Sequence, residues 1–239
     1  WVVGDLRDPA SLDAALKGVD VVINAAATSQ LQGDNDTAAV DLGGTRNLVA
    51  AARRAGVKRI VFITGMSVYS PRPDMPPPML KAFNDKREAE KLLAASGLEY
   101  VTLRPTGIPP RPARRPPMLR AFTDKREAEK LRAAPGLEYA PLPPTGILPR
   151  PAGAWQITLA ASGDYRPTRE EQTMRQPGSL PPPDAPPPAG TISRADLAEV
   201  AIVSAVEPRA RNRAFVVTQA SEPRAGTDWR DALARMPSD

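Results

Sequence analysis

Lysine 86 offers the clearest chemical candidate in this chain. On a helix, Ala82, Lys86, Ala89 and Leu93 fall at i, i+4, i+7 and i+11, so the ammonium leaves from the apolar stripe that faces the neighbouring layer. A cation aimed inward needs a partner. One account is structural, a lysine that snorkels to the helix edge and pairs with Glu90 four residues on; the other keeps the lysine for chemistry. The 239 residues include no Cys and no His, which removes disulfides, thiol nucleophiles, imidazole bases and the usual zinc ligands together. Any catalysis must therefore use hydroxyls, Lys, carboxylates or a bound cofactor, and no metal site is expected.

The elements that position this helix can be read in order. Trp1 to Gly4 reads as the end of a short strand, after which Asp8 caps a helix opened by Pro9, with Leu12, Ala15 and Leu16 on one face and Gly18 past its end. The run from Asp20 to Ala26 is nearly continuous apolar sequence, as in a parallel strand covered on both faces. After a polar loop comes an amphipathic helix from Val40, with Gly43-Gly44 allowing close backbone approach near its start, a turn at Ala55-Gly56, and a buried strand from Lys58 to Thr64. Alternating apolar strands and amphipathic helices predict an α/β fold, a parallel sheet flanked by helices.

The next unit occurs twice. Pro78 to Pro112 recurs at Pro117 to Pro151, identical at 27 of 35 positions. Val101, Thr102 and Arg104 of the first copy become Ala140, Pro141 and Pro143 in the second, which removes ladder donors; the first copy is expected to build the sheet and the second to decorate it. Residues 1–112 are thus read as the core, 113–151 as the duplicated helix-strand unit, 152–190 as a Pro-rich variable segment, and 191–239 as the C-terminal part of the core. Within the last two, a strand is expected from Trp155 to Ala160, a helix capped by Ser193, a strand from Arg213 to Thr218 and a closing helix from Trp229. The formal charge of +5 is spread along the chain and does not by itself point to nucleic acid. No run approaches the ~18 apolar residues of a membrane span, so the expectation is a soluble, cytoplasmic protein. The Pro/Arg segment Pro109 to Arg120 reads as a solvated linker, or as a dock for an SH3-like partner or an anionic surface.

Four blocks in order carry a resemblance: Val3-Gly4-Asp5-Leu6, the stretch from Val40 to Tyr69, Lys86-x-x-Ala89-Glu90 through Tyr100-x-x-Leu103-Arg104-Pro105, and Gly190 to Ala198. Together they resemble the atypical and extended short-chain dehydrogenase/reductases, including NmrA-like and NAD-dependent epimerase/dehydratase-like proteins. The resemblance implies a Rossmann-like sheet carrying NAD or NADP, with hydride transfer on an unknown small carbonyl or hydroxyl substrate, assisted by Tyr, Lys and Ser or Thr. The implied catalytic residues are Lys86 and, at the strand end, Thr64. The implied nucleotide contacts are Asp5 and Leu6 at the adenine, Asn24, Ala25, Ala26 and Ala27 along the ribose, and Thr64, Lys86, Pro105 and Thr106 at the nicotinamide. Asp5 has a plainer alternative in fixing a turn, and Pro105 in ending a strand.

The chain departs from that pattern in three places. The position four before Lys86, where the family carries its tyrosine, is Ala82, and the usual hydroxyl position at the strand end is Gly65. Tyr69 is then a stand-in for the missing phenol or simply a packed aromatic. The glycine-rich phosphate turn of the first βαβ unit is not found before Trp1, so the chain reads as starting at the family's third strand, which would leave the Val21 strand as an exposed edge. The Trp1 strand is expected to slide in beside it through a right-handed crossover. The function expected is thus an NAD(P)-binding, oxidoreductase-like protein, with a catalytically silent nucleotide sensor or scaffold, or an inactive remnant, as the alternatives. A nicotinamide dinucleotide and a small substrate are the expected partners; neither nucleic acid nor membrane is, and self-association is left open. If the first repeat copy is the structural one, a chain lacking residues 113–151 keeps its circular dichroism spectrum and cooperative melting; loss of both would assign the sheet position to the second copy.

Overall fold

The computed structural model describes residues 2–69, 71, 74–106, 155–161, 192–223 and 229–234. The second repeat copy falls outside them, as does the Pro-rich segment apart from 155–161. The chain divides into two bodies, Val2–Arg104 with Ser204–Phe215, and Pro105–Val203 with Val216–Asp239.

The first body begins with α1 (Pro9–Ala15), whose Asp8 cap accepts the Ala10 amide and whose Pro9 occupies the first turn, where a missing N–H costs nothing. Gly18, at φ +75°, supplies the left-handed residue that ends the excursion. β1 (Val21–Asn24) follows, then a π-helical turn (Ala38–Gly43) that leads directly into α2 (Gly44–Ala55). A Cβ on Gly44 would meet the Leu6 side chain at 2.7 Å, so glycine is what lets α2 approach this segment. Gly56 closes α2 at φ +74° with its amide on Ala52 and Arg53, the left-handed cap that Cβ-bearing residues resist. β2 (Arg59–Ile63), a short 3₁₀ turn (Met66–Tyr69), α3 (Pro77–Ala94) and β3 (Glu99–Pro105) complete the order.

β1, β2 and β3 are parallel, with Val21 opposite Arg59 and Ile60 opposite Tyr100. The start of β5 (Arg213–Pro223) lies beyond β3. Asn212 donates its amide to the Tyr100 carbonyl at 2.7 Å, and further along Thr106 donates to Val217 at 3.1 Å, so these two strands also run in one direction. Leu12, Leu48, Ala52, Ile60, Phe62 and Leu93 form the heart of a core between the helices and the sheet. The expectation of a parallel sheet flanked by helices is met.

Three sequence expectations need correction. Val2 to Gly4 form no strand, and Val3 is 95% exposed. The reason is local: the Asp5 amide is held by Ser11 Oγ at 2.9 Å and the Asp8 amide by the Asp5 carbonyl, which turns the chain toward α1 and away from β1. β1 is accordingly the outer strand, ending at Asn24 and not Ala26, with Ile23 exposed. The helix from Val40 also differs, because Leu42 bonds back five residues to the Thr37 carbonyl and a wide turn precedes the α-helix.

In the second body, β4 (Trp155–Ala161) neighbours the later part of β5. α4 (Arg194–Val206) is capped as expected, the Asp196 amide donating to Ser193 Oγ at 3.0 Å. Ile192, Leu197 and Val200 are buried there. α5 (Trp229–Ala234) packs against β4.

Back in the first body, the end of α4 is held by Arg59. Its Nη1 donates to the carbonyls of Ser204, Ala205 and Glu207 at 3.1, 3.2 and 2.9 Å, and its Nε and Nη2 clamp Glu99 Oε2 at 3.0 and 2.8 Å. The Ser204 and Ala205 carbonyls, in the last turn of α4, have no intrahelical donors and sit at the negative end of the helix dipole, so a guanidinium is doubly suited to them. Ser204 also carries a buried hydroxyl with no hydrogen-bond partner. Arg59→Ala is expected to cost about 2–4 kcal/mol in urea unfolding, because it leaves the Ser204 and Ala205 carbonyls buried without their donor and takes from Glu99 one of its two cationic partners, the other being Arg211, whereas Ser204→Ala, which removes an unpaired group, should leave stability within about 0.5 kcal/mol or raise it. The reverse order of the two effects would refute the assignment.

Candidate functional site

The carboxyl ends of β1 and β2 and the inner face of α3 bring two polar clusters to the first body. The first is built on Asp41, which stands on the π-helical turn with its side chain 4% exposed. Its Oδ1 accepts the ammonium of Lys86, and its Oδ2 accepts the Thr28 amide at 3.4 Å. Lys86 comes from the stripe of α3 that the sequence periodicity singled out; Ala82, Ala89 and Leu93 are buried around it. Its partner is Asp41 and not Glu90, which corrects the i,i+4 pairing considered from sequence. The turn after β1 lies on the other side of Asp41. Asn24, buried, accepts the Ala26 amide at 3.1 Å, and Ala25, Ala26 and Ala27 are exposed.

The second cluster centres on the buried carboxylate of Glu90. It accepts Thr64 Oγ1 at 2.6 Å, the Tyr69 hydroxyl at 2.7 Å, and the Nε and Nη2 of Arg104. Arg104 Nη2 also donates to the Tyr69 oxygen at 2.9 Å, with its guanidinium carbon 4.0 Å from the ring centroid. Thr64, Tyr69 and Arg104 thus each direct a donor at one acid. Burial, then the Glu90 hydrogen bond and charge, push the Tyr69 hydroxyl up to about 12. A phenol so held keeps its proton near neutrality, and Tyr69, 38% exposed, is fixed by its hydrogen bonds to Glu90 and Arg104 and not by burial. The position four before Lys86 is held by Ala82, which is buried.

The remaining predicted residues lie apart. Asp5 binds the Arg7 amide at 2.8 Å and Arg7 Nε at 3.1 Å, and this Arg7 pairing holds its carboxyl down to about 2; the residue fixes a turn. Leu6 rests on Gly44, and its carbonyl accepts Asn47 Nδ2 at 2.9 Å. Pro105 and Thr106 belong to the second body, where Thr106 Oγ1 bonds Thr218 Oγ1 at 3.0 Å. The structure therefore joins Lys86 to the turn after β1, and Thr64 to Glu90. Asp41 was missed from sequence, although its spacing to Thr45, Leu48 and Ala52 puts it on the buried stripe of the following helix. Glu90, at i+8 from Ala82, carried the same signal. Among the described residues no group of three or more His, Cys, Asp or Glu could hold a metal, and no helix is long and apolar enough to cross a membrane.

Residues 1–119 match a family model described as NAD(P)H-binding. The chain is similar to an uncharacterized sugar epimerase of Bacillus subtilis, 33% identical over 100 residues, 42% of this chain and 46% of that one. It is also similar to a 3β-hydroxysteroid dehydrogenase/Δ5→4-isomerase of Mycobacterium tuberculosis, 32% identical over 127 residues, 44% of this chain and 34% of that one. The chain spans less than half the length of these curated relatives. Among solved structures it is similar in fold to a Bacillus halodurans protein described as an NAD-dependent epimerase/dehydratase, with a TM-score of 0.60, 17% identity, and coverage of 98% of this chain and 77% of that one. An oxidoreductase from Lactococcus lactis has a TM-score of 0.56, 15% identity, and coverage of 98% and 75%.

The Tyr69 assignment can be checked by phenolate absorbance. Because its folded value lies above the unfolded 10.0, the stabilisation is complete below pH ~10 and disappears as pH rises through ~12. Tyr69→Phe should remove the last absorbance step, near pH 12, and flatten the loss of stability over that window; removal of a step near pH 10 would show that Tyr69 is not held as described.

Proposed function

Residues 1–119 belong to the NAD(P)-binding Rossmann domains of the epimerase/dehydratase-like short-chain dehydrogenase/reductases, and on that footing we propose that the protein binds a nicotinamide dinucleotide with Lys86 and transfers hydride to or from a small hydroxyl- or carbonyl-bearing substrate. The supporting observation is the anchoring of Lys86 on buried Asp41, beside the turn after β1. An ammonium has three donors; with one on Asp41, the others are left to meet ribose hydroxyls. Asn24 to Ala27 would line the ribose and Thr64 the nicotinamide end, with Leu6 toward the adenine. When bound, the nicotinamide supplies the hydride acceptor or donor; the chain's own part is to orient it. The sugar epimerase and the hydroxysteroid dehydrogenase among the relatives share, by their names, hydroxyl-bearing substrates, which supports that class here. In this reading the protein is cytoplasmic and works on small molecules.

A second reading, a catalytically silent nucleotide sensor or scaffold, is favoured by one observation: Ala82 stands at the phenol position and the Tyr69 proton is committed to Glu90. Titration with NADPH and NADH by nicotinamide fluorescence separates the two. Binding that weakens about tenfold in Lys86→Ala, as loss of a charged hydrogen bond predicts, supports the nucleotide site. Turnover of a secondary alcohol or ketone panel then favours the enzyme, and binding without turnover the sensor. Failure of the chain to bind either nucleotide would overturn both.

A further inference from the structure

We propose that Asp41 is the positioning residue of this site, holding Lys86 and the turn after β1 in one arrangement that a dinucleotide then meets. The inference rests on the nucleotide reading of Lys86 and adds a residue to it. Asp41 is a carboxylate with almost no solvent contact, and its two oxygens serve two different segments: Oδ1 the Lys86 ammonium on α3, Oδ2 the Thr28 amide that follows the exposed Ala25–Ala27 stretch. If neutralising a buried acid were the whole requirement, the lysine alone would meet it. The second contact instead makes one side chain fix the spacing between a cation and a backbone turn 45 and 13 residues away in sequence.

The backbone that carries Asp41 is suited to this. The bond from the Leu42 amide to the Thr37 carbonyl spans five residues, and the extra residue in that turn rotates the start of α2 by about 100° relative to a continuous α-helix. The turn is fastened to α3 at both ends by consecutive residues. Thr37, itself buried, donates to Asp85 Oδ2 at 2.7 Å, and Asp41 takes Lys86. Asp85 is further held by Lys81 at 2.9 Å. Asp41 is therefore placed from its own turn and from α3, and cannot follow Lys86 if the lysine swings outward.

The test is a double-mutant cycle read by NADPH and NADH titration of the full chain. Asp41→Asn is nearly isosteric but replaces the acceptor charge, and is expected to weaken nucleotide binding about tenfold, the size of coupling that contacting residues show. In the Lys86→Ala background the same substitution should change binding less than twofold, because Asp41 acts through Lys86. Equal losses in both backgrounds would reduce Asp41 to a structural role and overturn the inference, as would an Asp41→Asn chain that binds like the parent. Should Asp41→Asn fail to melt cooperatively, Asp41→Glu, which keeps the charge and displaces it by one methylene, is expected to fold and to weaken binding only partly; unchanged binding there would overturn the inference too. A parent chain that binds neither nucleotide removes the nucleotide reading and this inference together, whereas a parent that binds through Lys86 but ignores Asp41 removes this inference alone.

Discussion

Two opposite charges, Lys86 and Glu90, lie one turn apart on the sheet-facing side of α3, and neither satisfies the other. Leaving either unpaired in that interface would cost several kcal/mol, so each has to be met by a group delivered from elsewhere in the chain. Lys86 is met by Asp41 from the π-helical turn. Glu90 is met by Thr64 from the end of β2, Tyr69 from the 3₁₀ turn after it, and Arg104 from the end of β3. The requirement to pair these charges brings Asp41, Thr64, Tyr69 and Arg104 to the inner face of α3.

The opposite ends of the strands solve a related problem with a different residue. Arg59 and Glu99 are register partners on β2 and β3, and the guanidinium reaches past Glu99 to the last carbonyls of α4. The amino ends are thereby tied by a cation that serves only structure. At the carboxyl ends, by contrast, Lys86 keeps donors beyond the one that Asp41 takes. That difference is why the carboxyl rim, and not the opposite edge, is read as the place where a ligand is met.

Much of this fold can be read from the residues. Asp8 with Pro9, Gly56 after an amphipathic run, the unbroken apolar Ile60 to Ile63, and Ser193 ahead of α4 each act within a few positions of themselves, and the structure carries each of them. The Ala82, Lys86, Ala89, Leu93 stripe also turned inward as its period predicts. The features that could not be read depend on long-range pairing. Asp41 meets Lys86 where a five-residue turn replaces the first turn of a helix; its spacing to Thr45, Leu48 and Ala52 marks it as inward-facing but does not give its partner. The fate of Tyr69 was open between chemistry and packing until Glu90 and Arg104, 21 and 35 residues away, were seen to share its hydroxyl. Of the strand expected at Trp1 to Gly4, the described Val2 to Gly4 form none, because Ser11 and Asp8 hold Asp5 in a turn, a competition between a turn and a sheet edge that apolar content alone does not settle.

The central claim, that α3 presents Lys86 at the rim on a buried Asp41 so that a dinucleotide can meet it, is tested most directly by a crystal structure of the chain grown with NADP. The account predicts the nicotinamide ribose hydroxyls within hydrogen-bond distance of Lys86 Nζ while the lysine keeps its contact to Asp41. A nucleotide bound away from Lys86, or a lysine turned from Asp41 onto Glu90, would contradict it.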